Sequence, residues 1–150
     1  MVSPTGVAAG DLWVSLRREY EGFPLYLRYP TSLDYDALQL KFSLRLVLTH
    51  TFSFRRFDGA PEPQYNDTLE ELDLFLTRYF RASGRGQVVL VETFGGKRNY
   101  YFYLAEASDS EEFLAAVHER FPGQRVDGKC ANDPEWKFIR RYRSEYLEGV

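Results

Sequence analysis

Two histidines, His50 and His118, and one cysteine, Cys130, are the side chains of this sequence best suited to hold a soft metal or attack a substrate. No two of them stand at a ligand spacing such as Cys-x-x-Cys or His-x-x-x-His, so the sequence carries no metal motif. A Cys130–His dyad could form only by folding, since such partners meet in space rather than in sequence. No Gly-x-Ser-x-Gly elbow is present. The stretch "SGRGQVV" (83–89) has the glycines of a phosphate cradle but precedes a strand pattern. A cradle must follow a strand and open a helix, so that amides and dipole converge on the anion. Carboxylates are plentiful: Glu62, Asp67, Glu70, Glu71 and Asp73, then Glu106, Asp109, Glu111 and Glu112. Most fall at helix starts, where the dipole favours them. Together they read as a solvated acidic face or a docking surface for a basic partner. No catalytic set, cofactor motif or metal site is expected.

The aromatic residues are more informative. Phe, Tyr and Trp make up 17% of the chain, enough for a thick core or an adhesive surface. The net charge is −3 and the sequence pI about 5.5, which argues against a strong nucleic-acid binder. One cysteine allows no internal disulfide and suits a reducing compartment. The N-terminus lacks a basic region followed by an apolar run, and no stretch is apolar over the ~20 residues of a membrane span. A cytoplasmic protein with no membrane contact is the expectation.

The elements that must position these side chains follow from periodicity. "LWVSLRREY" (12–20) and "FPLYLRYP" (23–30) predict a hairpin, with Pro24 and Pro30 making the second run an edge or entry strand. "LQLKFSLRLVLTHTF" (38–52) alternates, with Leu40, Phe42, Leu44, Leu46 and Leu48 on one face and Lys41 and Arg45 on the other. Residues 55–67 predict a loop. Residues 67–84 predict a helix with Thr68 and Glu71 at capping-box spacing and Gly84 as its stop. "QVVLVETF", "GG" and "KRNYYFYLAEA" predict a second hairpin. A helix over 108–121, capped by Ser108 and Glu111, and a weaker strand over 123–131 follow. In "NDPEWKFIRRYRSEYLEG", Asp133, Pro134 and Glu135 form a helix-start signal, although alternation of Trp136 and Phe138 leaves a strand open. The sum is one α+β domain over 1–150, with 1–10 a loose terminus. From 38 to 131 its order is that of a ferredoxin-like split βαβ unit: an antiparallel sheet with two helices on one face. The hairpin is an N-terminal extension and the last helix a C-terminal one.

The stretch "RNYYFYL", then a helix, "FPG" and "DPEWKF", with the opening "DLWVSLRREYEGFPLYLRY", resembles the bacterial family catalogued as domain of unknown function 695. It resembles more distantly the regulator of ribonuclease E activity B family. Arg98, Tyr101, Phe102, Tyr103, Asp133, Pro134, Trp136 and Trp13 carry the likeness. The first family implies no activity. The second implies an α/β sandwich that acts by binding an enzyme rather than by catalysis. The basic ending "RRYRSEYL" departs from the Tyr-Pro ending usual in the first family.

If Phe102 and Leu104 face the helices, Tyr101 and Tyr103 face away, beside Lys41 and Arg45. With Arg98 these five residues form a candidate interaction surface. Three covers could hide it: the hairpin, the C-terminal helix or a second subunit. Left bare, it could hold a protein, or bases as RNA-recognition sheets do. Trp13 and Trp136, with Arg98, form a candidate pocket between the sheet and the terminal segments. The function expected is a non-catalytic adaptor or regulator that binds another protein, with a homodimer among the arrangements the sequence allows. The alternatives are a small ligand-binding domain or enzyme using that pocket, and a weak RNA-binding module.

Overall fold

The computed structural model describes residues 12–53 and 69–147. Six strands form one sheet: β1 (Trp13–Tyr20), β2 (Phe23–Pro30), β3 (Leu44–Thr51), β4 (Gly86–Phe94), β5 (Lys97–Leu104) and β6 (Arg125–Asn132), in the order β1-β2-β4-β5-β3-β6. Every neighbouring pair is antiparallel. Among the described residues four helices accompany them: α1 (Tyr35–Gln39), α2 (Glu70–Arg78), α3 (Ala107–Arg120) and α4 (Lys137–Tyr142), the last continuing into a π-helical turn, Arg143–Leu147.

The hairpins follow from their turns. Glu21 and Gly22 sit at φ 53° and 85°, and Gly95 and Gly96 at 61° and 81°. Two successive positive φ values give the primed turn whose twist matches the strands it joins. Hairpin β1–β2 extends the sheet by pairing β2 to β4 over Tyr26, Leu27 and Arg28 alone. Strand β2 is therefore interior, against the expectation of an edge. Both prolines lie outside that short ladder, so their missing N–H groups break no bond to β4.

Each sheet face has its own core. On the first, Leu46, Leu48, Tyr100 and Phe102 meet Leu72, Leu76 and Phe80 from α2 and its C-terminal turn, and Phe113 and Val117 from α3. On the second, Leu25, Leu27, Leu90 and Tyr103 meet Phe42, Trp136, Ile139, Tyr142 and Leu147. Strand β4 serves both because of a bulge between Val88 and Leu90. Val88 and Val91 face the first core while Val89 and Leu90 face the second. That explains an unbroken apolar run where strict alternation would be expected.

Several expected boundaries move. The strand placed at 38–52 begins only at Leu44, because Asp34 caps α1 by accepting a bond from the Ala37 amide at 3.1 Å. Leu40 is consequently 89% exposed, and Phe42 turns into the second core rather than joining Leu46 and Leu48. The loop at 55–67 and the Thr68 cap lie outside the described residues; Leu69 occupies the cap position of α2 without a side-chain bond. Gly84 does end the helical segment, at φ 68° with its amide on the Phe80 carbonyl. Helix α3 starts one residue early, behind Glu106, so Ser108 is not its cap. The C-terminal segment is helical, as Asp-Pro-Glu suggests, but Asp133 caps it through a preceding turn. Its carboxylate accepts from the Lys137 and Phe138 amides at 2.9 and 3.1 Å, while Trp136 takes the left-handed region at φ 56°.

Candidate functional site

The parity of β5 divides the candidate surface in two. Tyr101 and Tyr103 point to the second face, Arg98 and Tyr100 to the first. The C-terminal segment closes over the tyrosines. Tyr103 is fully buried and stacks on Trp136, with ring centroids 4.1 Å apart and planes 13° from parallel. Its hydroxyl donates to Asp133 Oδ2 at 2.7 Å. Tyr101 stacks on Phe138 at 4.5 Å, and the Arg45 guanidinium lies 4.9 Å from the centre of the same Phe138 ring. Trp136 Nε1 donates to the Phe42 carbonyl at 2.7 Å. Burying one such indole contributes about 5 kcal/mol of gross apolar transfer energy. Burial lifts the Tyr101 and Tyr103 hydroxyls far above the ordinary tyrosine range, and the Asp133 carboxylate adds to this at Tyr103. Of the covers foreseen, the chain's own C-terminal segment is the one found. Tyr101 and Tyr103 thus belong to a core and not to an open face.

The other candidates scatter. Lys41 is exposed and precedes β3 rather than lying within it. Trp13 is half-buried against the first core, under the Arg28 guanidinium at 5.9 Å, whereas Trp136 is enclosed in the second. The sheet lies between the two indoles, so they share no pocket.

What the first face does assemble is a charged cluster. Asp73 of α2 accepts both Arg28 Nη2 and Nη1, at 2.6 and 3.1 Å, and the Tyr100 hydroxyl at 2.7 Å. Arg98 Nη1 stands 3.8 Å away, and its Nε donates to Thr93 Oγ1 at 2.9 Å. Burial alone would raise the Asp73 pKa. The hydrogen bond and charge of Arg28, the Tyr100 hydroxyl and the Arg98 charge outweigh it and hold the carboxyl below its ordinary value. Tyr100, wholly enclosed, is pushed far up by burial and then by Asp73. His50, also buried, is held below the usual imidazole range by burial, against a bond to Gln124 at 3.0 Å, so it is neutral near pH 7. Sequence reasoning missed Arg28 and Tyr100, and it placed Asp73 on a solvated acidic face. Arg28 and Tyr26 have the parity of Trp13 across the hairpin, and Asp73 stands four residues after Leu69 and three before Leu76, beside the apolar stripe. Those two facts were the available signal.

Two cavities flank this cluster, sharing Arg28 as a wall. One, about 470 Å³, lies over β1, β2 and β4, where Arg17, Tyr26, Arg28, Thr93 and Arg98 line a stretch of sheet. The other, about 610 Å³, opens between Trp13, α2 and the start of β4. Of the carboxylates foreseen on a solvated face, Asp73 and Asp109 instead turn inward, Asp109 onto Arg85 Nε at 2.6 Å; Glu62 and Asp67 lie outside the described residues. Among the described residues no three His, Cys, Asp or Glu side chains gather as a metal site requires. No described helix is long and apolar enough to cross a membrane.

The family model described as "Family of unknown function (DUF695)" matches residues 11–142, and the chain belongs to that family. The matched span runs from the first strand through α4, so it includes both faces of the sheet and the covering Trp136. No curated protein and no solved structure matches the chain. The further likeness to the regulator of ribonuclease E activity B family rests on the quoted motifs alone.

Proposed function

We propose that this protein is a non-catalytic adaptor or regulator, cytoplasmic, that docks another protein on the first face of β1, β2 and β4. The observation that supports this is the 470 Å³ hollow, which Arg17 and Tyr26 line with no carboxylate, beside Arg28 and Arg98, whose charge Asp73 already shares. Guanidinium forks suit carboxylates bidentately, and Arg and Tyr are the residues that concentrate binding energy at interfaces. An acidic segment of the partner is the natural occupant. Tyr101 and Tyr103, enclosed by the C-terminal segment, have no part in this docking.

We read β3-α2-β4-β5-α3-β6, with sheet order β4-β5-β3-β6, as a ferredoxin-like split βαβ unit. Hairpin β1–β2 then adds two strands to that unit, with Arg28 of β2 tied to Asp73 of α2. The imidazoles are engaged elsewhere, His50 with Gln124 and His118 with the Val126 carbonyl at 2.8 Å, so neither is held as a base for Cys130.

The test is affinity capture from native lysate with wild type and Arg17→Glu/Tyr26→Ala, followed by calorimetric titration of each captured protein in purified form. A true partner should bind the double variant at least about tenfold more weakly, since hot-spot losses exceed that. A captured protein that binds both equally well overturns the reading. Salt-dependent binding of single-stranded RNA by wild type, lost in the variant, would transfer the same face to the nucleic-acid alternative.

A further inference from the structure

The 610 Å³ cleft is a separate opportunity. Its volume lies within the roughly 300–1,000 Å³ of small-molecule sites. The apolar side chains that it exposes are Trp13, Leu38 and Leu74, with Phe42, Phe80 and Phe102 buried behind them; Lys41, Arg78 and Arg81 are also in the lining. Lys41 and Arg78, at the rim, are exposed, and neither has a carboxylate partner among the described residues. That is notable in a chain with 22 acidic and 19 basic side chains. The one carboxylate in the lining, Asp73, is engaged by Arg28 and Tyr100, so it neutralises Arg28 and leaves the rim uncompensated. Trp13 supplies a half-buried indole at the wall.

We propose that this cleft is a binding site for a small organic anion, with an aromatic or apolar body against Trp13, Leu38 and Leu74 and a single anionic head against Lys41 and Arg78. A bare inorganic anion would leave those apolar side chains wetted. A neutral apolar molecule would bury itself beside two unanswered cations. An amphipathic anion satisfies both, and desolvation by its body strengthens the ion contacts at the rim.

The probe pair is 8-anilinonaphthalene-1-sulfonate and its uncharged counterpart N-phenyl-1-naphthylamine, titrated by fluorescence into wild type, Lys41→Glu/Arg78→Glu, Lys41→Met/Arg78→Met and Lys137→Glu. The last reverses a charge on the α4 side of the sheet. Circular dichroism verifies that each variant is folded, as expected for exposed side chains, and the methionine pair serves if the reversed pair is not. Saturable one-to-one binding of the sulfonate is expected. It should weaken about tenfold or more in the glutamate pair and several-fold in the methionine pair, with no change in Lys137→Glu. The neutral probe should bind wild type about tenfold more weakly than the sulfonate. Absence of saturable sulfonate binding overturns the proposal. So does equal affinity in wild type and the rim variants, or a neutral probe that binds as tightly as the charged one.

Discussion

Replacing Tyr103 by Phe removes one oxygen from the most enclosed part of the molecule. The ring, its stack on Trp136 and its shape remain; the bond of 2.7 Å to Asp133 is lost. Asp133 keeps the Lys137 and Phe138 amides, so its charge stays partly satisfied. A hydrogen bond to a charged group is worth roughly 1.5–3 kcal/mol, so a loss of about 2 kcal/mol is expected at pH 7. Urea unfolding should show a lower midpoint at unchanged slope, and the melting temperature should fall by about 4–8 °C for a domain of this size. The effect should also depend on pH. Burial pulls the Asp133 pKa upward, but the Tyr103 bond and the two amides prevail and hold it below its ordinary value. A depressed folded pKa means stability that is full above the unfolded value near 3.9 and is lost as pH falls through the folded one. Without the Tyr103 donor the depression shrinks. The gap between the two proteins should therefore be widest above about pH 5 and narrow to about 1 kcal/mol, a neutral hydrogen bond, near pH 2. A difference below about 0.5 kcal/mol at pH 7, or one that does not change on acidification, would refute the assignment of Tyr103–Asp133 as a charged anchor of the C-terminal segment.

Trp136→Ala should cost about 3–5 kcal/mol in chemical denaturation, the range for emptying an aromatic core site, whereas Leu40→Ala should stay within about 0.5 kcal/mol. Asp73→Asn should lose about 2–3 kcal/mol at pH 7, because Arg28 and Tyr100 lose an ionised acceptor. Since the Asp73 pKa is depressed in the fold, that deficit should shrink as pH falls through the folded value. Gly95→Val should destabilise by at least about 1–2 kcal/mol and Gly95→Asn by much less, for the position needs a left-handed backbone and not space. Cys130 is exposed, so one thiol per chain should react with a disulfide reagent without denaturant.

Local patterns made much of this fold legible. The stripe of Leu72, Leu76 and Phe80 marks α2, the double glycine marks the β4–β5 turn, and the parity of β5 separates Phe102 from Tyr103. The same parity puts Arg98 on the side of Phe102, away from Tyr101, against its expected place beside the two tyrosines. What alternation conceals is any break in register. The bulge at Val89 makes residues 88–91 an unbroken apolar run, and the helix that Asp34 caps takes residues 38 and 39 from the strand that leucine spacing suggests. The separation of Trp13 from Trp136 depends on the short β2–β4 ladder, a pairing between segments some 65 residues apart in sequence with no local signature. The Arg28–Asp73–Tyr100 cluster is hidden for the same reason: its members come from three elements that only the tertiary fold unites.

The cover over the second face has a temporal side. Trp136 reaches back to Phe42 across 94 residues, and Arg18 Nε donates to the Tyr146 carbonyl across 128. Contacts of such sequence separation close late, because loop entropy must be overcome before they form. During synthesis all six strands leave the ribosome before residues 136–147 do, so Leu25, Leu27, Leu90 and Tyr103 wait with one side bare. A nascent chain halted before Trp136 presents that apolar sheet to whatever is nearby. Chaperone capture and aggregation should peak in that interval and fall once the final helix docks.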